Sequence, residues 1–296
     1  MDPVETGSRR TLGGSGLMVS AVGVGTNRWA AGVNDGAVLE TWRTLLDGGV
    51  DFVDTAEVYG FGKSERLVGK CLGETPRAGV VATKFAPFIA RTSPRHLIAA
   101  LDASLARLGL PAVDLYYVHF PFPFIDLSVF AEGLTEAAKS GKARAVGVSN
   151  FGADATRRMA DLLGRAGVPL AANEVSYSLV NRKPERNGVL DACREVGAAL
   201  VAYFPLASGR LAGTGAQTKD PRLERLQAVL ASTAQDHQAS VGEVALAWLL
   251  ARDPCVIPIP GATKAPHAKL NAAAMRLKLT GEEFASIDAA SAPAAG

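Results

Sequence analysis

Gly49-Val50-Asp51-Phe52-Val53-Asp54-Thr55-Ala56-Glu57-Val58-Tyr59-Gly60 is the stretch on which the reading of this chain turns. Glycines at 48 and 49 end a helical pattern, and the apolar run that follows has the length of a buried strand. Asp54 closes that run, and Tyr59 comes five residues later in the next turn. Packing alone has no need of a carboxylate there. Two further runs close in the same way, Val80-Val81-Ala82-Thr83-Lys84 on a lysine and Leu115-Tyr116-Tyr117-Val118-His119 on a histidine. Enzymes built on parallel strands gather their reacting groups at those carboxyl ends. Tyr116 and Tyr117 lie inside the third run and are expected to pack.

Working outward, strand-like runs fall at 22–25, 51–54, 80–83, 114–119, 143–148, 171–175, 199–203 and 256–259. Amphipathic stretches at 38–46, 94–108, 129–139 and 153–163 alternate with them. Strand–helix alternation implies a parallel sheet, and eight repeats in 296 residues predict a (β/α)8 TIM barrel of class α/β. The whole chain, 1–296, is expected to be one such domain. A doubly wound open sheet is the weaker reading, because Gly23-Val24-Gly25-Thr26-Asn27-Arg28 lacks the third glycine of a dinucleotide turn. Ahead of the first unit, residues around Gly13-Gly14-Ser15-Gly16 form an expected hairpin that plugs the barrel bottom. After an irregular insertion at 207–221, extra helices are expected at 222–237 and 241–251. Thr280-Gly281-Glu282-Glu283 is a capping box for a last helix reaching about residue 290.

Composition narrows the function. Lysine plus arginine less aspartate plus glutamate is 31 − 29 = +2, which offers no field for nucleic acid or an acidic membrane. The three cysteines, Cys71, Cys193 and Cys255, form no disulfide framework or zinc pattern, and the four histidines show no metal spacing. Residues 1–7 carry acidic side chains and no apolar run, so no secretory signal is expected there. No apolar stretch approaches the roughly 20 residues of a membrane span. A cytoplasmic location is the expectation. Gly62-Lys63-Ser64 fails as a phosphate loop, since Glu57 stands where its first glycine belongs.

The segment 49–60, Lys84 and His119 in their contexts, and Ala145-Val146-Gly147-Val148-Ser149-Asn150-Phe151 together resemble the aldo-keto reductase signature. The likeness runs from about residue 10 to about residue 290, in that family's order. Within the family, 203–209 and 256–262 look most like bacterial and plant general aldo-keto reductases. The resemblance implies an NADPH-dependent reduction of aldehydes and ketones, with Asp54, Tyr59, Lys84 and His119 as the catalytic set. Elementary chemistry is consistent with it. Lys84 follows Asp54 by 30 residues and His119 follows Lys84 by 35, about one strand–helix unit each. A tyrosine, with an ordinary pKa of about 10, is a poor acid near neutrality, and an adjacent ammonium favours its phenolate. Asp54 would keep Lys84 charged, and His119 would orient the substrate carbonyl.

The same resemblance implies the cofactor wall. Tyr203 matches the ring that stacks on the nicotinamide, with Phe204, Leu206 and Thr26 alongside. Ser149 and Asn150 match the carboxamide-binding pair. Glu174 stands where the family usually has glutamine. Gly261, Thr263, Lys264, His267 and Asn271 open the last barrel helix, whose amino end suits an anion. Lys264 favours NADP(H) over NAD(H) by placing a cation for the extra phosphate. Trp29, Phe85, Phe120 and Phe122 are expected over a small-molecule carbonyl substrate that is neutral, hydrophobic or aromatic. The rival readings are an NADP(H)-binding sensor or regulatory subunit of the same fold, with little turnover, and a metal-dependent (β/α)8 hydrolase, whose clustered His and Asp ligands the sequence does not show.

Overall fold

The computed structural model describes residues 8–75, 79–88, 90–212 and 220–292. The amino-terminal expectation for residues 1–7 and the 213–219 part of the insertion lie outside the described residues. An antiparallel hairpin of β1 (Arg9–Thr11) and β2 (Met18–Ser20) comes first. Eight parallel strands follow: β3 (Val24–Gly25), β4 (Phe52–Asp54), β5 (Val80–Phe85), β6 (Val113–Val118), β7 (Ala143–Ser149), β8 (Leu170–Ser176), β9 (Ala199–Tyr203) and β10 (Val256–Pro258). They pair in sequence order. The ring closes where Gly23 and Gly25 donate their backbone N–H groups to Pro258 O and Pro260 O, at 2.9 and 3.3 Å. The fold is therefore the (β/α)8 barrel.

The outer helices are α1 (Asp35–Asp47), α2 (Lys63–Glu74), α3 (Pro94–Leu108), α4 (Leu127–Lys139), α5 (Ala153–Arg165), α6 (Lys183–Arg186), α7 (Val189–Val196), α8 (Pro221–Asp236), α9 (Val241–Arg252), α10 (Ala265–Ala273) and α11 (Gly281–Ser291). Local chemistry sets several starts. Asn34 and Asp126 accept from backbone amides at α1 and α4, which begins these helices ahead of the expected residues. Full capping boxes open α9 at Ser240 and α11 at Thr280.

Strand periodicity explains what fills the ring. Every second residue points inward, so Phe52, Ala82, Leu115, Tyr117, Ala145, Ala172, Val201 and Ile257 form the interior core. Leu12 and Val19 of the hairpin join that cluster and close one end. Arg10 fastens the hairpin by donating to the carbonyls of Leu250, Asp253, Pro254 and Val256. Burial lowers its pKa to about 10 despite nearby Cys255 and Asp253. His119 and Ile259 fall just past β6 and β10, because pairing stops at the mouth; His119 N–H still reaches Phe85 O at 2.8 Å.

Gly23 sits at the closing seam. A Cβ there would lie 2.7 Å from the Phe52 ring and 2.9 Å from Ile259 Cγ2. Overpacking a formed core costs about 1–3 kcal/mol. Gly23→Ala is therefore expected to lower the unfolding free energy by an amount in that range, read from the midpoint and slope of equilibrium urea unfolding.

Candidate active site

The inward residues one step above the core are polar or ionisable. On β4, Asp54 follows Phe52 on the inner face; on β5, Lys84 follows Ala82; beyond β6, His119 follows Tyr117; on β8, Glu174 follows Ala172. Gly147 of β7 makes room, since a Cβ there would meet the Tyr117 ring at 2.7 Å. Lys84 is fully buried. Its Nζ donates to Asp54 Oδ2 and, at 3.0 Å, to Thr55 O. It reaches Tyr59 OH at 3.5 Å and lies 3.3 Å from Glu174 Oε2. The rings of Tyr59 and His119 meet edge to face, with centroids 5.8 Å apart.

Tyr59 belongs to a turn rather than a strand, so other contacts hold it. Two residues earlier, Glu57 accepts from Ala86 N at 2.7 Å and from Arg91 at 2.6 and 3.1 Å. Arg91 also lies over the Phe85 ring, 4.4 Å from its centroid. This brace ties the tyrosine turn to the end of the lysine strand. At the other side, Ser64 N–H donates to Tyr59 O at 3.2 Å.

Burial dominates the electrostatics. It works against the charge on Lys84, yet Asp54 and Glu174 outweigh it and hold the ammonium's pKa above its usual value. Burial also raises the Tyr59 pKa; Lys84 opposes this, and the charges of Asp54 and Glu174 add to it. The net direction is upward, not the downward shift that Lys84 alone would give, because burial outweighs Lys84 and the carboxylates add to it. Burial, with Lys84 second, pushes His119 down to about 3. Its imidazole is neutral, with Nδ1 buried and unpartnered.

A cavity of about 630 Å³ opens above these groups and runs to the start of α10. That volume is in the range of ligand and cofactor sites. Thr26, Asp54, Tyr59, His119, Ser149, Asn150, Glu174, Tyr203, Phe204, Leu206, Gly261, Thr263, His267 and Asn271 all line it. Asn150 knits its middle, accepting from Tyr203 OH at 2.9 Å and donating to His119 O at 3.0 Å. Asn271 is buried at the wall with Nδ2 unpartnered, a donor that fits a bound heteroaromatic acceptor. No side chain caps α10, leaving its amino end open to an anion. Lys264 is the exposed cap residue there, between the lining residues Thr263 and His267. A long phosphate-bearing cofactor fits these features.

The aromatic residues divide. Trp29 and Phe85 are 0% and 1% exposed and line no part of the cavity. Trp29 spends its indole N–H on Ala262 O at 2.6 Å, and Phe85 packs under Arg91. The structure thus packs both rings into the framework beside the cavity rather than on its lining. Phe120 and Phe122 also lie off the lining, but Phe120 is half-buried beside His119, with ring centroids 5.6 Å apart. Sequence reasoning missed Ser208, Gly209, Ser240 and Gly242 in the lining. Ser240 announces itself only as a helix cap. Backbone at φ +51° for Phe204, +50° for Ala207 and +57° for Ser208 shapes that wall, and no residue pattern signals it. Arg28 lines the mouth and makes no ion pair among the described residues.

Barrel, buried lysine and cofactor-sized cavity define a (β/α)8 oxidoreductase. The chain belongs to the aldo/keto reductase family, whose model matches residues 21–292. It is 31% identical to the chloroplastic pyridoxal reductase of Arabidopsis thaliana, covering 90% of this chain and 82% of that protein. It is 31% identical to the L-glyceraldehyde 3-phosphate reductase of Escherichia coli O157:H7, over 94% of this chain and 91% of the other. An aldo-keto reductase from Klebsiella pneumoniae, solved in complex with NADPH, superposes with a TM-score of 0.80 at 30% identity, covering 95% of this chain and 94% of that one.

His119 supplies a direct test of these electrostatics. With its pKa near 3, its NMR signals are expected to stay flat from about pH 8 to about pH 5, where an unperturbed imidazole titrates. The unfolded chain takes up that proton below about pH 6.5 and the folded chain does not, so this group lowers stability as acid is added.

Proposed function

We propose that the protein reduces aldehydes and ketones with NADPH, and that Tyr59 gives the proton to the nascent alkoxide. The observation that carries this reading is the contact of Tyr59 OH with the buried Lys84 ammonium at 3.5 Å, on the floor of the cavity. NADPH, when bound, supplies the hydride. Tyr59 keeps its proton in the resting site, as its raised pKa requires. Lys84 stabilises the phenolate left after transfer, and Asp54 keeps Lys84 in place. Neutral His119 offers a hydrogen bond to the carbonyl oxygen without placing a second positive charge beside Lys84.

Tyr203, Ser149, Asn150 and Glu174 would hold the nicotinamide, and Thr26, Phe204, Leu206, Gly261, Thr263, His267 and Asn271 the rest of the cofactor. Lys264 at the open end of α10 would take the phosphate that distinguishes NADP(H). The complex of the Klebsiella pneumoniae relative with NADPH supports that choice. From His119 an aromatic row runs outward through Phe120 to Phe88, with the last two centroids 6.2 Å apart. Such a surface favours apolar or aromatic carbonyl substrates.

NADPH oxidation with a panel of aldehydes, followed by absorbance, tests the assignment. Tyr59→Phe is expected to lower kcat by at least about a hundredfold, the usual scale of one acid–base group, with NADPH affinity kept. Wild-type turnover by that variant would remove Tyr59 from the acid role. Lys264→Ala is expected to weaken NADPH roughly tenfold or more, a charged hydrogen bond being worth about 1.5–3 kcal/mol. Unchanged binding would place the phosphate elsewhere.

A further inference from the structure

Three ionisable side chains meet beneath the cavity floor with almost no access to water. Lys84 is 0%, Asp54 1% and Glu174 2% exposed. One ammonium against two ionised carboxylates would leave a net negative charge in the barrel interior, where uncompensated charge is costly. Hydrogen bonding shows the same mismatch. Among the described residues, Asp54 Oδ1 has no hydrogen-bond partner, and Glu174 Oε2 has only its ion-pair contact with Lys84. Both carboxyl groups converge on the same ammonium, Asp54 Oδ2 accepting from Lys84 Nζ and Glu174 Oε2 lying 3.3 Å from it. Ionised carboxylates only accept, so a hydrogen bond between the two requires a proton.

We propose that Glu174 stands as a neutral carboxylic acid sharing one proton with Asp54, so that the pair presents a single negative charge to Lys84, and that Glu174 thereby positions Lys84 beside Tyr59. The groups facing Glu174 are Asp54 of β4, Tyr59, Lys84 of β5, Tyr117 of β6 and Tyr203 of β9. Lys84 is the one cation among them, and Asp54 already holds it. Burial, and then the charge of Asp54, drives the Glu174 carboxyl well above its ordinary range. In the neutral acid the hydroxyl donates to Asp54 and the carbonyl oxygen remains an acceptor at the cavity wall, which Glu174 lines. An ionised Glu174 would raise the Tyr59 pKa further; the neutral acid does not. This effect on Tyr59 rests on the reductase reading, whereas the shared proton stands without it.

Proton linkage tests the proposal. Above about pH 5 the unfolded chain has released both carboxyl protons, while the folded wild type keeps one, so wild-type stability falls with pH. In Glu174→Gln the folded chain keeps none, because Asp54 alone pairs with Lys84. The unfolding constant of wild type relative to Glu174→Gln is expected to rise by up to about tenfold per pH unit from about pH 5 to about pH 7, the slope of one proton. A ratio independent of pH overturns the proposal. Infrared spectroscopy of the wild type at neutral pH needs no variant. A protonated-carboxyl C=O stretch that shifts in deuterated water is expected. It should vanish in Glu174→Gln and also in Asp54→Asn, where Glu174 ionises as the sole counter-ion. Absence of the band in wild type, or its persistence in both variants, overturns the proposal. Neither readout involves turnover, so their failure is separate from a failure of the Tyr59 assignment.

Discussion

A lysine with no exposed surface, Lys84, is the constraint on which the upper barrel depends. An isolated buried ammonium is not tolerable, and breaking a buried ion pair from one side typically costs about 3–5 kcal/mol. Its carboxyl neighbours come from β4 and β8. Those strands stand four places apart in the sheet order. Only a sheet curled into a ring brings both to one ammonium. Charge compensation and barrel closure are thus a single requirement, met at the level where the inward core residues give way to polar ones.

That level also sets what can be a donor. Tyr59 approaches from a turn, braced by Glu57 and Arg91, so its hydroxyl reaches Lys84 without belonging to a strand. His119 sits one residue past the end of β6 with a neutral ring. The floor of the cavity therefore carries one cation, screened from below, and two uncharged donors above it. The cofactor wall differs in kind: it is built by loops whose backbone enters left-handed regions at Asn150, Phe204, Ala207 and Ser208. Residues held there commonly mark places where function overrides local preference.

The strand runs, their order and the polar ends at Asp54, Lys84 and His119 were legible because short apolar runs closed by a charged or polar residue stand out in the residues themselves. The hairpin plug was legible from its glycines, and the α11 start from its capping pattern. The packing of Trp29 and Phe85 was not legible, because adjacency to a strand end does not say which way a ring points; both turn into the framework. The Ser208–Gly209 wall was not legible, since it depends on backbone angles that no pattern of side chains encodes. Glu174 lay between these cases. Its place at the cofactor wall came from the family resemblance alone, and its meeting with Asp54 around Lys84 is a tertiary fact.

The seam has a consequence for how the protein is made. The first and last strands of the ring are joined by Gly23 and Gly25 bonding to Pro258 and Pro260. Arg10 likewise grips carbonyls as far along the chain as Val256, 246 residues away. Contacts this distant in sequence form slowly, and a nascent chain cannot form them before its distal partner emerges. During synthesis the outer edge of the first ring strand therefore stays without its partner until the β10 segment has left the ribosome.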